Sequence, residues 1–290
     1  MRFSIFEGLE LNLFLFVCPQ RNYSMMDKEI LLDRWFSHHK KVLVALSGGV
    51  DSCLVAYMAR RNLGRDNAIA TIGVSPSLKA KDLQQTQDFC RQFDIRLVEI
   101  HPNEIDDPNY SANPINRCYF CKSNLYGAMN LLRKSDYPEF EILNGNNRSD
   151  FGDYRPGLKA AEEYVALSPL AECGFDKQDI RELAKQYSLP VWDKPASPCL
   201  SSRFPYGEKI SAEKLKMVER AEDFLNEYGF SNVRVRFFNG TARIEVPKTS
   251  IELLNKYFDK IELKLLEIGF ASCEIDQEGL VSGKLNRKLV

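Results

Sequence analysis

One stretch near the start of the chain constrains the fold most strongly: residues 41–61 read KVLVALSGGVDSCLVAYMARR. Its first half is an apolar run that predicts a buried strand, and its second half repeats apolar residues at helical spacing. Serine and a glycine pair stand between them, so the join is a strand-to-helix loop. Glycine lets backbone N–H groups converge, and a helix N-terminus favours anions, so we expect this loop to bind phosphate. An ordinary strand-helix turn is the alternative.

Further apolar runs alternate with helical patterns after this stretch. Strands are predicted at residues 42–46, 68–74, 95–100 and 141–145, and helices at residues 52–61, 80–93 and 123–133. Strands alternating with helices predict an α/β fold with a parallel sheet flanked by helices. Ligands of such sheets bind outside the carboxyl ends of the strands, where the glycine loop lies. We predict that this domain spans residues 41–190, after an N-terminal extension and first helix in residues 1–40.

The second half of the chain has another organisation. Residues 191–207 contain three prolines and three serines without a periodic pattern. Because this segment includes Trp192, Cys199 and Arg203, we predict a site loop rather than a plain linker. A helix, two strands, a further helix and a last strand follow, which predicts a small α+β domain for substrate binding or oligomerisation in residues 208–290.

The two strands of the small domain are joined at Asn239-Gly240, which predicts a two-residue hairpin turn and fixes the register. Counting outward places Arg234 opposite Glu245 and Arg236 opposite Arg243 on one face. Three arginines on one sheet face suggest an anion site, with phosphate first, because a guanidinium binds phosphate through two parallel hydrogen bonds. A solvated face with one salt bridge is the alternative.

Composition limits the classes of protein to consider. The chain has 290 residues, 44% of them hydrophobic, and a formal net charge of -1. It can bury a full core, and it shows no apolar run long enough for a bilayer and no signal cleavage site. We therefore expect a soluble cytoplasmic protein without membrane contact. The neutral charge, without a Lys/Arg stripe, also argues against nucleic acid as a partner.

Three of the eight cysteines form a chemical pattern. Cys118 and Cys121 make a C-x-x-C, which in a cytosolic protein indicates a redox pair, half of a zinc site or part of an iron–sulfur site. No second C-x-x-C or nearby histidine completes a zinc site. Three cysteines plus one open iron would fit Cys118, Cys121 and Cys199. The remaining cysteines are expected to be core or unremarkable, namely Cys18, Cys53, Cys90, Cys173 and Cys273.

Charged and amide side chains cluster at the predicted end of the fourth strand. Carboxylates beside a triphosphate commonly hold Mg²⁺, while Arg and Lys neutralise a leaving pyrophosphate. Helix capping by the aspartates is the alternative. The candidates are Asn146, Asp150, Asp153, Arg155 and Lys159.

Six motifs follow one another along the chain: S-G-G-V-D-S, N-R-C-Y-F-C-K, G-D-Y-R-P-G-x-K-A-A, S-P-L, W-D-K-P-A-S-P-C-L-S-S-R-x-P-Y-G and A-R-I-E-V. In this order they resemble the LarE family of ATP-dependent sulfur transferases, which belong to the PP-loop ATP pyrophosphatase superfamily. The resemblance implies adenylation of a pyridine-nucleotide carboxylate, with release of pyrophosphate. A sulfur nucleophile then displaces AMP and leaves a thiocarboxylate, as in synthesis of a nickel-pincer nucleotide cofactor.

The resemblance also implies roles for individual residues. ATP pyrophosphate would be bound by Ser47, Gly48, Gly49, Asp51 and Ser52. Cys199, Ser202 and Arg203 would be catalytic, and Arg234, Arg236 and Glu245 would face the substrate. The set of Cys118, Cys121 and Cys199 resembles the three cysteines of those family members that are thought to hold a [4Fe-4S] cluster, which delivers sulfide. A consumed Cys199 is the alternative, although the sacrificial cysteine of other members aligns with Pro198.

Other functions remain open from the sequence. A PP-loop enzyme could thiolate tRNA, or form an amide as an NAD synthetase does. A regulatory protein that only binds ATP would not release pyrophosphate. The resemblance further implies a homo-oligomer.

Overall fold

The fold is described from a computed structural model that covers residues 24–152, 156–195, 197–281 and 284. Its first part contains helices α1 (Met25–Ser37), α2 (Val50–Leu63), α3 (Ala80–Gln92), α4 (Pro108–Ser111), α5 (Arg117–Asp136), α6 (Pro156–Glu163), α7 (Pro169–Glu172) and α8 (Lys177–Gln186). Its strands are β1 (Val42–Ala45), β2 (Ala68–Gly73), β3 (Arg96–Ile100) and β4 (Glu141–Leu143). The small domain follows with α9 (Ala212–Glu227), β5 (Arg234–Phe238), β6 (Thr241–Glu245), α10 (Ile251–Lys256), α11 (Phe258–Ile268) and β7 (Ser272–Ile275).

The four strands of the first part form a parallel sheet in the order β3-β2-β1-β4. All four residues of the central strand β1 are buried. Apolar clusters cover both faces, one built around Leu54 and Phe89 and the other around Leu43 and Tyr126. The predicted α/β fold with a parallel sheet flanked by helices is confirmed. The glycine loop leaves β1 at the carboxyl edge of this sheet and runs directly into α2.

The small domain pairs its strands as the hairpin signal predicts. Arg234 lies opposite Glu245 and Arg236 opposite Arg243, around a turn with positive φ at Asn239 and Gly240. Strand β7 pairs with β6 in parallel, so this sheet is mixed. Arg243 donates to Glu274 on β7 at 2.5 Å, which offsets the repulsion expected from two arginines placed opposite each other.

The core of the small domain also takes in residues from outside 208–290. Tyr110, Leu200 and Phe204 are buried in it together with the apolar faces of α9 and the sheet. The site loop and the α4 segment are therefore packed against the small domain, and the predicted domain boundaries remain a prediction.

One local expectation is corrected. The helix expected from residue 123 begins at Arg117, so α5 includes the C-x-x-C, and Cys118 and Cys121 lie one turn apart on one face. Within the predicted site loop, Leu200–Arg203 forms a short 3-10 turn, in which the Ser202 N–H donates to the Cys199 carbonyl. Predictions on residues 1–23, including Cys18, and on Asp153 and Arg155 lie outside the described residues. No helix in the described ranges has the length and apolarity to cross a membrane.

Candidate active site

The loop between β1 and α2 forms a cradle whose side chains fix its own backbone. The Ser52 hydroxyl accepts from the Ser47 N–H at 3.1 Å and donates to the Gly49 carbonyl at 3.1 Å. The Ser47 and Ser52 hydroxyl oxygens are 3.0 Å apart. The N-cap of α2 is Gly49, so no N-cap side chain bonds to the first N–H groups of the helix. The N–H groups at the start of α2 therefore remain available to an anion, as the sequence predicts.

Glycine is required at two positions of the cradle. Gly48 has a φ of +74°, and a Cβ there would lie 2.4 Å from the Thr86 hydroxyl. Gly145, which follows β4, packs so closely that a Cβ would lie 2.7 Å from the Ser52 backbone nitrogen. The close approach of the β4 loop to the start of α2 explains the glycine at position 145.

A cleft of about 370 Å³ opens beside the cradle at the carboxyl edge of the sheet. Its walls come from the cradle, the end of β2, the start of α3 and the site loop. Several cationic side chains lie around it: Lys79, Lys122, Lys177, Arg181 and Lys194. A polyanion such as a triphosphate matches this lining in charge and position.

Asp51 lies at the mouth of the cradle, where Lys177 and Asn147 contact it. Lys177 Nζ donates to one carboxylate oxygen, and Asn147 Nδ2 donates to the other at 3.3 Å. The Asn147 N–H in turn donates to Asp150 at 3.0 Å. Asp150 is thus connected to Asp51 through Asn147, whereas Asn146 contributes a backbone N–H bond to Asn144. Neither Asn146 nor Asp150 is among the residues that line the cleft.

The three cysteines of the pattern come together at one side of the cleft. Cys121 and Cys199 both line it, and Cys118 is exposed one turn before Cys121. Burial, and to a lesser extent the neighbouring Cys199, raise the pKa of the Cys121 thiol to about 12. In the described ranges, no group of three His, Cys, Asp or Glu side chains is close enough to hold a single metal ion.

A buried ion pair holds the site loop against the small domain. Arg203 donates through Nε and Nη2 to the two carboxylate oxygens of Glu222 at 2.8 and 3.0 Å. Its Nη1 donates to the carbonyls of Pro198 and Cys199 and to the Ser202 hydroxyl. Burial opposes ionisation of Glu222, but Arg203 and Lys79 outweigh it and hold the pKa of that carboxyl below its ordinary value. The geometry gives Arg203 a positioning function beneath Cys199.

A second contact set holds the site loop against the C-x-x-C helix. Arg117, the first residue of α5, donates to the Ser201 carbonyl at 2.9 Å. The Tyr110 and Ser201 hydroxyls also form a hydrogen bond, and both side chains are fully buried. These bonds bring Cys199 to the start of α5 although Cys199 lies 78 positions after Cys121 in the sequence.

The arginine face of the small domain borders a second cavity, a groove of about 630 Å³ between the two domains. Arg236 is buried and donates to Glu245 at 2.6 Å and to the Ser202 carbonyl at 3.0 Å. The Arg234 side chain lines the groove and makes no hydrogen bond or ion pair with the described residues. Burial and the neighbouring Arg203 and Arg236 lower the pKa of Arg234. Glu245 and Glu222 act on this guanidinium in the opposite direction but form no ion pair with it, so it suits an anionic ligand.

Comparisons with known proteins agree with this geometry. The NAD synthase family profile matches residues 33–125. An uncharacterized protein from Synechocystis is 44% identical over 260 residues, which cover 89% of this chain and 96% of that protein. Pyridinium-3,5-bisthiocarboxylic acid mononucleotide synthase from Lactiplantibacillus plantarum is 35% identical over 250 residues, covering 86% of this chain and 90% of the relative. The chain belongs to the LarE family.

Like other LarE proteins, it is an ATP-dependent sulfur transferase with a PP-loop. A glutamine-hydrolyzing GMP synthase from Clostridium acetobutylicum is a more distant relative, 27% identical over 209 residues that cover 65% of this chain and 40% of the relative. The family implies ATP and Mg²⁺ as cofactors.

Sequence reasoning on this LarE chain missed several residues of the site. Asn147 could have been found, because it directly follows the predicted Asn146 at the end of β4. Lys194 lies inside the W-D-K-P motif but was given no role. Glu222 lies in an ordinary amphipathic helix, and nothing in its sequence context marks it as the partner of Arg203. Lys159 was a pyrophosphate candidate, but its side chain is exposed and lies 3.8 Å from Glu163.

Proposed function

We propose that this enzyme converts a carboxylate of a pyridinium mononucleotide into a thiocarboxylate. The relative from Lactiplantibacillus plantarum is named for a pyridinium-3,5-bisthiocarboxylic acid mononucleotide, so the corresponding biscarboxylic acid is the expected acceptor. The observation that carries the proposal is that the phosphate cradle, Cys199 and the unpaired Arg234 border two adjoining cavities. ATP, a sulfur donor and a nucleotide phosphate can thus be bound side by side.

The cradle would bind the β- and γ-phosphates of ATP through Ser47, Gly48, Gly49 and Ser52. Asp51 fits a Mg²⁺ ligand because its carboxylate lines the cleft beside the cradle, and oxygen ligands suit this ion. Lys177, now on Asp51, would neutralise the pyrophosphate. Asp150 supports Asp51 through Asn147.

Adenylation begins when an acceptor carboxylate oxygen attacks the α-phosphorus of ATP. The bond from this phosphorus to the bridging oxygen breaks, and pyrophosphate leaves. Arg234 would hold the acceptor phosphate in the groove, while Arg236, fixed by Glu245, supports the Ser202 backbone. A sulfur nucleophile then attacks the acyl carbon, AMP departs, and the thiocarboxylate remains.

Cys118, Cys121 and Cys199 would hold the [4Fe-4S] cluster. The donor set fits in its chemistry, because thiolates are the ligands of such clusters, and Cys121 and Cys199 line the cleft with Cys118 exposed one turn before Cys121. When bound, the cluster would supply sulfide at its open iron. The Cys121 thiol, whose pKa is raised by burial, would have to lose its proton on binding iron, because the thiolate is the ligand. Arg203 and Arg117 hold the loop that presents Cys199.

The test is anaerobic purification followed by assay with ATP and the biscarboxylic nucleotide. Pyrophosphate release and a mass gain of the nucleotide are expected, with about four irons per chain that Cys118→Ala removes. Iron-free protein in which Cys199 loses the mass of H₂S would establish the consumed cysteine instead. Pyrophosphate release with tRNA and not with the nucleotide would contradict the proposed acceptor. A cytoplasmic location and a homo-oligomeric state remain part of the proposal.

A further inference from the structure

The ATP cleft and the interdomain groove share one wall. Five residues line both cavities: Lys79, Asp82, Lys194, Pro195 and Ser197. The inference drawn from this wall rests on the proposed function, in which a carboxylate held in the groove must reach ATP in the cleft. Side chains of the shared wall therefore lie where the two reactants have to meet.

Lys194 links the wall to the phosphate cradle. Its Nζ donates to the Gly48 carbonyl at 3.2 Å and to Asp82 Oδ1 at 2.9 Å. The other Asp82 oxygen accepts from the Ser197 hydroxyl at 3.0 Å. One carboxylate at the start of α3 thus holds two side chains of the site loop, two and five residues before Cys199 (199 − 197 and 199 − 194). An ammonium has three donors, and these contacts use two of them.

The other lysine of the shared wall, Lys79, forms an ion pair with Glu222. Lys79 Nζ lies 2.8 Å from Glu222, a carboxylate whose side chain is 3% exposed, so removing Lys79 from that pair would be costly. In the Lys194–Asp82 pair the carboxylate is more accessible, with Asp82 16% exposed against 3% for Glu222. It can exchange partners at lower cost.

We propose that Lys194 contacts the reactants of the adenylation step and that Asp82 is its counter-ion in the absence of nucleotide. Phosphate oxygens of ATP replace Asp82 as the partner of Lys194. The ammonium then stabilises the charge that develops as the carboxylate oxygen bonds to the α-phosphorus and the bond to pyrophosphate breaks. Asp82 retains Ser197 and so keeps the site loop in place while Lys194 changes partner.

The proposal predicts that substitutions of Lys194 and of Asp82 have opposite effects on nucleotide binding. Binding of a non-hydrolysable ATP analogue with Mg²⁺ to the full chain is measured by calorimetry. Lys194→Ala is expected to weaken binding about tenfold, the loss of one charged hydrogen bond. Asp82→Asn is expected to tighten it about threefold, because the analogue no longer competes for Lys194. With acceptor present, Lys194→Ala should lower kcat for pyrophosphate release about 100-fold.

The Lys214–Glu208 pair, at 2.6 Å in the small domain, supplies matched controls. Lys214→Ala and Glu208→Gln should leave analogue binding unchanged. If Asp82→Asn and Lys194→Ala both weaken binding, the pair is structural and the proposal is overturned. Lys194→Gln replaces the Ala variant if that protein does not fold.

The binding assay needs neither acceptor nor sulfur, which separates this inference from the proposed function. Opposite effects without any turnover of the pyridinium nucleotide would contradict the proposed acceptor alone. Turnover without opposite effects would contradict the role of Lys194 alone.

Discussion

Replacing Glu222 by alanine should destabilise this protein more than any surface change. The Glu222 side chain, 3% exposed, accepts two bonds from Arg203 and one from Lys79. One of its oxygens also accepts the Val235 N–H at 3.0 Å. The alanine variant would leave the Arg203 guanidinium, 2% exposed, without its counter-ion.

The expected cost follows from these contacts. Breaking one half of a buried ion pair costs about 3–5 kcal/mol in unfolding free energy, because a charge stays buried without a partner. The unpaired Val235 N–H adds about 1 kcal/mol. Removing both charges together avoids the first penalty, so Glu222→Leu with Arg203→Met should be more stable than Glu222→Ala.

Urea unfolding, followed by circular dichroism on the single variant, the double variant, a control variant and the wild type, measures these differences. Glu267→Ala is the matched control, since Glu267 forms an exposed helical pair with Lys264 at 2.9 Å and should change stability by less than about 0.5 kcal/mol. A loss below about 1 kcal/mol for Glu222→Ala would refute the reasoning, as would a double variant no more stable than the single one.

Three further predictions concern binding and pH. Gly48→Ala should abolish binding of the ATP analogue in calorimetry. Alanine is strained at this left-handed φ, and its Cβ would collide with the Thr86 hydroxyl and distort the cradle. Unchanged affinity would contradict the cradle geometry. Arg234→Ala should raise KM for the nucleotide acceptor about tenfold in the pyrophosphate assay, because the acceptor phosphate loses its guanidinium. Melting temperature and ATP binding should stay unchanged, because this side chain makes no hydrogen bond or ion pair with a described residue. Since the folded-state pKa of Glu222 lies below its ordinary 4.5, its ion pair contributes stability fully above that pH. The difference in unfolding free energy between wild type and Glu222→Ala should therefore shrink as the pH falls below 4.5, and a difference that grows on acidification would contradict it.

The local features of the fold could be predicted because they depend on short-range rules. Alternating apolar and helical patterns predicted the parallel sheet, and Asn239-Gly240 predicted the register that places Arg234 opposite Glu245. The start of α5 was missed because no apolar periodicity marks residues 117–122. The first residue, Arg117, is held in place by hydrogen bonds to Asn113 and to the Ser201 carbonyl, which the sequence pattern does not show.

Contacts between distant segments could not be predicted in the same way. The partnership of Arg203 with Glu222, or of Lys194 with Asp82, depends on how the site loop crosses between the domains. Motif spacing indicates which residue types are present, but not which carboxylate each cation reaches. The residues Ser47–Ser52 were easier, because one loop contains the whole cradle.

The hydrogen bonds that hold the site loop among the described residues do not involve the side chain at position 199. Arg203 binds the Pro198 and Cys199 carbonyls, and the Leu200 N–H donates to the Ser77 carbonyl. A chain that had lost the sulfur of Cys199 would keep the same loop and the same folded stability. Cellular proteases that degrade unfolded proteins would then not distinguish a chain without the Cys199 sulfur from an intact one. If Cys199 were consumed in the reaction, active enzyme would therefore be restored only by new synthesis or by repair.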